Sequence, residues 1–142
     1  MKHANLDDHT HALRLDPGDD IYGTLQQFCA DNHIDNATVE GIGSVEGPTL
    51  AHYSIKTKEF ADKHLDGVYE VTSLLGNVAL VDGEPFGHLH ITISDEGMQT
   101  FGGHLVSGVC SATLELVITD YPSHHWKSDN ADIGLKIWDF RH

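Results

Sequence analysis

Three histidines, His88, His90 and His104, stand close enough in the chain to act together. In GHLHITISDEGMQTFGGHL (87–105) the first two are separated by a single residue. Strand side chains alternate in direction, so His88 and His90 share one face, opposite Leu89, Ile91 and Ile93. Two imidazoles side by side on a rigid strand suit zinc, which accepts three protein ligands plus water. The third ligand would come from the returning strand, and the register decides whether it can. With a two-residue loop at Glu96-Gly97, Asp95 pairs with Met98 and His104 falls on the Leu89 side. One extra residue in the turn, or a bulge at Gly102-Gly103, sets His104 opposite His90. On spacing alone two readings stand level: metal ligands, or polar side chains on the wet face of a sheet. Glu115 is a candidate base toward a metal-bound water, against the plainer reading of a solvated strand carboxylate. His33, His52, His64 and the terminal histidines read as ordinary surface residues. No Ser-His-Asp, Cys-His or phosphate-loop arrangement is present.

The elements that must position these residues are mostly strands. HALRL (11–15) alternates as a short strand. DPGDDIYGTLQQFCADNHI reads as a helix, with Asp16 as cap, Pro17 in the first turn and an end near Asn32. Ile21, Leu25, Phe28 and Cys29 give that helix one buried stripe. ATVEGIGSV (37–45) and TLAHYSI (49–55) follow as strands joined at Gly47-Pro48. The glycines of the first suit close backbone packing or a bulge rather than a phosphate loop, for no Lys-Ser/Thr ending or helix pattern follows. VYEVTSLLGNVALV (68–81) is apolar on both faces in its second half, so it must be covered on both sides. A second subunit is one possible cover. Asp82-Gly83 predicts a tight turn. Strands at 86–94, 100–106 and 109–119 complete the run. Residues 1–10 are polar and expected to be flexible. After Pro122 a polar loop leads to a short LKIWDF strand, with Trp126 and Trp138 folding this extension (122–142) onto the body.

The 142 residues suit one domain. The charge balance is the unusual feature: 8 Lys+Arg against 22 Asp+Glu, a net charge of −14. The cations are scattered, so the surface repels phosphate backbones. Cys29 and Cys110 match no zinc or redox spacing and are expected as buried free thiols. No apolar leader or span-length apolar run is visible, which predicts a cytoplasmic protein without membrane partners.

The motif set closely resembles the PPC (plants and prokaryotes conserved) domain, also called domain of unknown function 296. The resemblance lies in His88-Leu89-His90, a short turn, Gly102-Gly103-His104-Leu105, and Thr113-Leu114-Glu115. RLDPGDDI, VEGIGSVEG and YEVTSLLGNVAL are similar to the family's opening strand and helix start, its Gly-rich strand and its Glu-bearing strand. The resemblance covers roughly residues 11–121. It implies an α+β fold, a compact, partly closed antiparallel sheet packed with one main helix, related to the acetolactate decarboxylase fold. It also implies a homotrimer and a zinc ion on His88, His90 and His104. Three functional readings follow. The first is a trimeric zinc protein with a binding or assembly role toward a small molecule or protein. The second, carried by the family label, is a DNA-binding regulator; the net charge and the lack of an AT-hook in the sequence oppose it. The third is a small zinc enzyme acting on a carbonyl or carboxylate. Binding or assembly ranks first, and no catalytic residue beyond Glu115 suggests itself.

Overall fold

A computed structural model describes residues 1–140. The strands are β1 (Lys2–Asn5), β2 (Thr10–Leu15), β3 (Ala37–Ser54), β4 (Glu59–His64), β5 (Val68–Val81), β6 (Glu84–Ser94), β7 (Thr100–Asp120), β8 (Trp126–Asn130) and β9 (Leu135–Asp139). The one helix among the described residues, α1, spans Ile21–Asp31. The fold is mostly β, as the sequence pattern implies.

Four long strands close on themselves. β7 pairs with β3, β3 with β5, β5 with β6, and β6 returns to β7, all antiparallel. β1 and β2 extend the sheet beyond β7, β4 lies along the far half of β3, and the β8–β9 hairpin joins the end of β5. Long strands can close such a ring only by bending, and the bends fall where register shifts. They occur at Gly41/Gly43 against β5 and at Gly43/Val45 and Glu46/Thr49 against β7. Bulges bend a strand and increase its twist. Gly43 shows why a side chain is not tolerated there: a Cβ would stand 2.2 Å from the Thr113 carbonyl oxygen of β7, at a φ of +152°. The two strands expected at 37–45 and 49–55 are therefore one bent strand, and so are those at 100–106 and 109–119.

α1 packs against β6 and β7. Its stripe, Ile21, Leu25, Phe28 and Cys29, is fully buried, and Leu25 and Tyr22 lie over Gly87. Leu89, Ile91 and Ile93 of β6 and Leu114, Leu116 and Ile118 of β7 complete the core. Both cysteines are free and buried.

The helix starts later than the sequence suggests. Asp16-Pro17-Gly18-Asp19 is a turn closed by Asp19 N–H donating to the Asp16 carbonyl at 3.1 Å. Gly18 at φ +90° follows the Pro-Gly pattern of a type II turn. The cap is Asp20, whose carboxylate accepts from Gly23 N–H at 2.6 Å. At the other end His33 adopts φ +57°. Its N–H donates to Ala30, and Ile34 N–H reaches back to Cys29 at 2.9 Å, a Schellman closure.

The first residues also differ from expectation. Lys2–Asn5 forms β1 against His11–Arg14, with the His3 ring edge-on to Phe28 at 5.2 Å. All four residues of β1 are exposed, so no alternation marks the strand. β4 is exposed throughout in the same way. The two-sided cover predicted for β5 is supplied in part by the extension. Leu80 pairs with Trp126 and is buried, as is Ala79, whereas Leu75 stays 57% exposed. Among the described residues no helix is long and apolar enough to cross a membrane.

Candidate metal centre

β6 carries Gly87, Leu89, Ile91 and Ile93 toward the helix and core, so His88 and His90 project from the opposite face. The hairpin to β7 sets the third histidine. Ser94 pairs with Thr100, and the ladder runs unbroken to His90 paired with His104. The extra residue lies in the turn: Met98 N–H donates to the Asp95 carbonyl at 2.9 Å and Asp95 N–H to that of Gln99 at 3.1 Å. Met98 itself adopts φ +62°. This is a three-residue loop, a turn followed by one left-handed residue. The turn, and not a bulge at Gly102-Gly103, puts His104 on the histidine face. Gly103 serves another purpose: a Cβ there would stand 2.9 Å from the Ala51 carbonyl oxygen. It lets β3 approach, and Ala51 pairs directly with His104.

The three rings surround one point. Their centroids are 5.2 Å (His88–His90), 5.2 Å (His88–His104) and 5.5 Å (His90–His104) apart. One ring nitrogen from each lies within 4.8 Å of the others. Zn–N bonds of ~2.0–2.1 Å in a tetrahedral site separate ligand nitrogens by about 3.4 Å, a gap that small ring rotations close. His88 and His104 are half-buried and His90 is exposed, which leaves the centre open to solvent on one side.

The hydrogen-bonding pattern fits a metal. Elsewhere histidines face acceptors: His11 Nδ1 meets Asn5 Oδ1 at 2.9 Å, His64 meets Thr49 Oγ1 at 3.2 Å and His124 meets Asp35 Oδ2 at 2.6 Å. His104 Nδ1, by contrast, is buried without a partner. A buried polar atom left so costs about 1–3 kcal/mol, unless something such as a metal ion takes its lone pair. Burial, aided by the charges of Lys127, His104 and His90, lowers His88 to about 4. Burial also lowers His104, with His90 and Lys127 adding to the effect and Asp62 opposing it. Both imidazoles are thus held neutral, the form that ligates metal.

The walls come from other strands. Phe60 of β4 lies against the His104 ring at 5.4 Å, and Tyr53 packs at a tilt on Phe60 at 4.8 Å. On the other side Lys127, from β8, is 6% exposed and donates to Asn77 Oδ1 at 2.7 Å. Asn77 pairs with His88. The sequence offered no signal for Lys127 beyond its being one of few cations, because its place depends on how the extension folds back. Tyr53 Oη donates to the Ile133 carbonyl, and Lys58 Nζ to that of Ala131 at 2.7 Å. These contacts hold the β8–β9 hairpin across the site. Glu115 is not brought to this centre. It is exposed, pairs with Ile42 and Arg14, and lines a separate groove of about 660 Å³ with Lys2, Glu40 and Leu75.

A closed β-ring with one helix inside its bend and three convergent histidines on its outer face defines a small domain class with metal-binding capacity. The chain belongs to the Plants and Prokaryotes Conserved (PCC) domain family, whose model matches residues 3–122. Solved structures agree. A proposed DNA-binding protein from Bacteroides thetaiotaomicron is 28% identical with a TM-score of 0.93, over 98% of this chain and 96% of that one. A plant- and prokaryote-conserved protein from Pyrococcus horikoshii is 31% identical with a TM-score of 0.86, over 94% and 92%. A metal-containing protein from Archaeoglobus fulgidus is 29% identical with a TM-score of 0.86, over 97% and 99%. The fold extends to acetolactate decarboxylase from Bacillus subtilis, at 13% identity and a TM-score of 0.58 over 86% and 57%. The chain is also 30% identical, over 82% of its length, to part of a bifunctional GlmU protein from Synechococcus, but spans only 17% of that protein.

Proposed function

We propose that this chain is a zinc-binding member of the family that works as a homotrimer in a binding or assembly role. The observation that carries it is the convergence of three ring nitrogens within 4.8 Å. An all-imidazole set with an open side suits zinc holding an exogenous fourth ligand. The metal-containing relative from Archaeoglobus fulgidus supports the same reading. Assembly is supported by the apolar side chains beside the histidines on the outer face: Leu75, Phe86 and Val106 are 57%, 42% and 40% exposed. Exposed apolar groups gathered on one face mark interaction surfaces. A net charge of −14 argues against DNA, whose affinity depends on cations meeting phosphates.

Metal analysis of tag-free protein and its His104→Ala variant tests the centre. About one zinc per chain is expected in the parent and none in the variant; equal content refutes the three-histidine site. Light scattering should give a trimer mass, and a monomer would refute the assembly. No shift of AT-rich DNA at low salt is expected.

A further inference from the structure

Lys127 lies outside the residues, 3–122, that the family model matches, and the site as read from its histidines gives it no role. It is 6% exposed. Its ammonium can donate three hydrogen bonds, yet among the described residues Asn77 Oδ1, at 2.7 Å, is its one acceptor. No carboxylate lies within ion-pair distance of it among those residues. Asn77 and His88 are cross-strand partners, so amide and imidazole project side by side and bring the ammonium to the edge of the centre. A buried ammonium held by a neutral amide is costly unless an anion joins it. Loading the three imidazoles with a divalent ion would add to the same excess of positive charge. The carboxylate that acts on His104 is Asp62, which is exposed on β4 and screened by water.

We propose that the three-histidine centre takes a small monocarboxylate anion and that Lys127 is the positioning residue that receives its charge. This rests on the metal-binding reading above. One ammonium matches a single carboxylate. Among the described residues no arginine fork, which would favour phosphate, reaches the site: Arg14 lies on β2, paired with Asp16 at 2.8 Å. The open side at His90 gives the anion its way in.

The test uses the full chain loaded with cobalt(II), followed by its visible absorption, with acetate as probe and inorganic phosphate as the comparison. Acetate should perturb the spectrum saturably in the parent, and phosphate should bind more weakly. Lys127→Met should keep its cobalt but lose acetate affinity by about tenfold or more, and Lys127→Arg should recover most of it. A lysine that merely fastened β8 to β5 would change stability and leave acetate affinity alone. If the methionine variant does not fold, Lys127→Gln, which keeps a donor for Asn77, makes the same comparison. Unchanged acetate affinity without the ammonium, or a preference for phosphate, overturns the inference and leaves the metal site standing. No cobalt uptake by the parent refutes the metal reading, and the inference falls with it.

Discussion

Gly102 and Gly103 are adjacent on β7, yet replacing each with alanine should have different outcomes. At Gly103 the new Cβ would stand 2.9 Å from the Ala51 carbonyl oxygen and 3.5 Å from Leu50 Cβ. The first contact is with backbone, so no side-chain rotation relieves it. β3 and β7 must part by about half an ångström to restore ordinary contact, and overpacking of this kind costs about 1–3 kcal/mol. Ala51 is the ladder partner of His104, so the same displacement moves a metal ligand. At Gly102 the nearest atoms are the Ile91 carbonyl oxygen at 3.4 Å and Thr92 Oγ1 at 3.5 Å, ordinary contacts that leave stability within about 0.5 kcal/mol. Urea unfolding of both variants, metal-free, gives the stability difference, and a competition titration with a zinc chelator gives the affinity. Gly103→Ala should lose stability and bind zinc about tenfold more weakly, or 1.4 kcal/mol. Equal, small effects at both positions would refute the view that close approach of β3 sets the place of His104.

Among the non-glycine residues in left-handed backbone are His33 at φ +57° and Met98 at φ +62°. Glycine at either should stabilise the fold by about 1 kcal/mol, seen as a raised midpoint in thermal melts. Asp20→Ala removes the carboxylate that accepts from Gly23 N–H and should cost about 1 kcal/mol. Metal-free protein should weaken as pH falls from about 6.5 toward 4. Across that window an unfolded His88 takes up a proton that the folded residue, lowered to about 4 by burial and then by the charges of Lys127, His104 and His90, refuses. His88→Asn should flatten that slope in denaturation curves recorded at each pH.

The centre was legible because strand alternation is strict: His88 and His90 had to share a face, and the third ligand reduced to a question of one residue in the turn. The answer was hidden because the residue that takes the left-handed conformation is Met98, whereas Gly97, which the sequence favours for it, does not show a positive φ. Asp16 read as the helix cap because Pro17 suits a first helical turn; Gly18 at φ +90° makes the segment a separate turn and passes the role to Asp20. β1 and β4 escaped notice since exposed strands lack the alternation that burial imposes. Lys127 escaped because no local pattern records which strand a distant hairpin will lie against.

Two of the four seams of the ring, β3–β7 and β3–β5, join segments far apart in the chain, Ala37 with Asp120 and Ala51 with His104 among them. Such contacts demand loop closure before they return any energy, so the fold should form slowly. The β5–β6 and β6–β7 hairpins are the exceptions. All three histidines lie on the β6–β7 hairpin, joined by a short turn, so the ligand set is local even though the domain is not. A divalent ion could therefore staple this hairpin in the unfolded chain and hand the rest of the ring a preformed edge. Metal would then act on the rate of folding as well as on its equilibrium, and refolding would quicken with zinc in the parent but not in the His104→Ala chain.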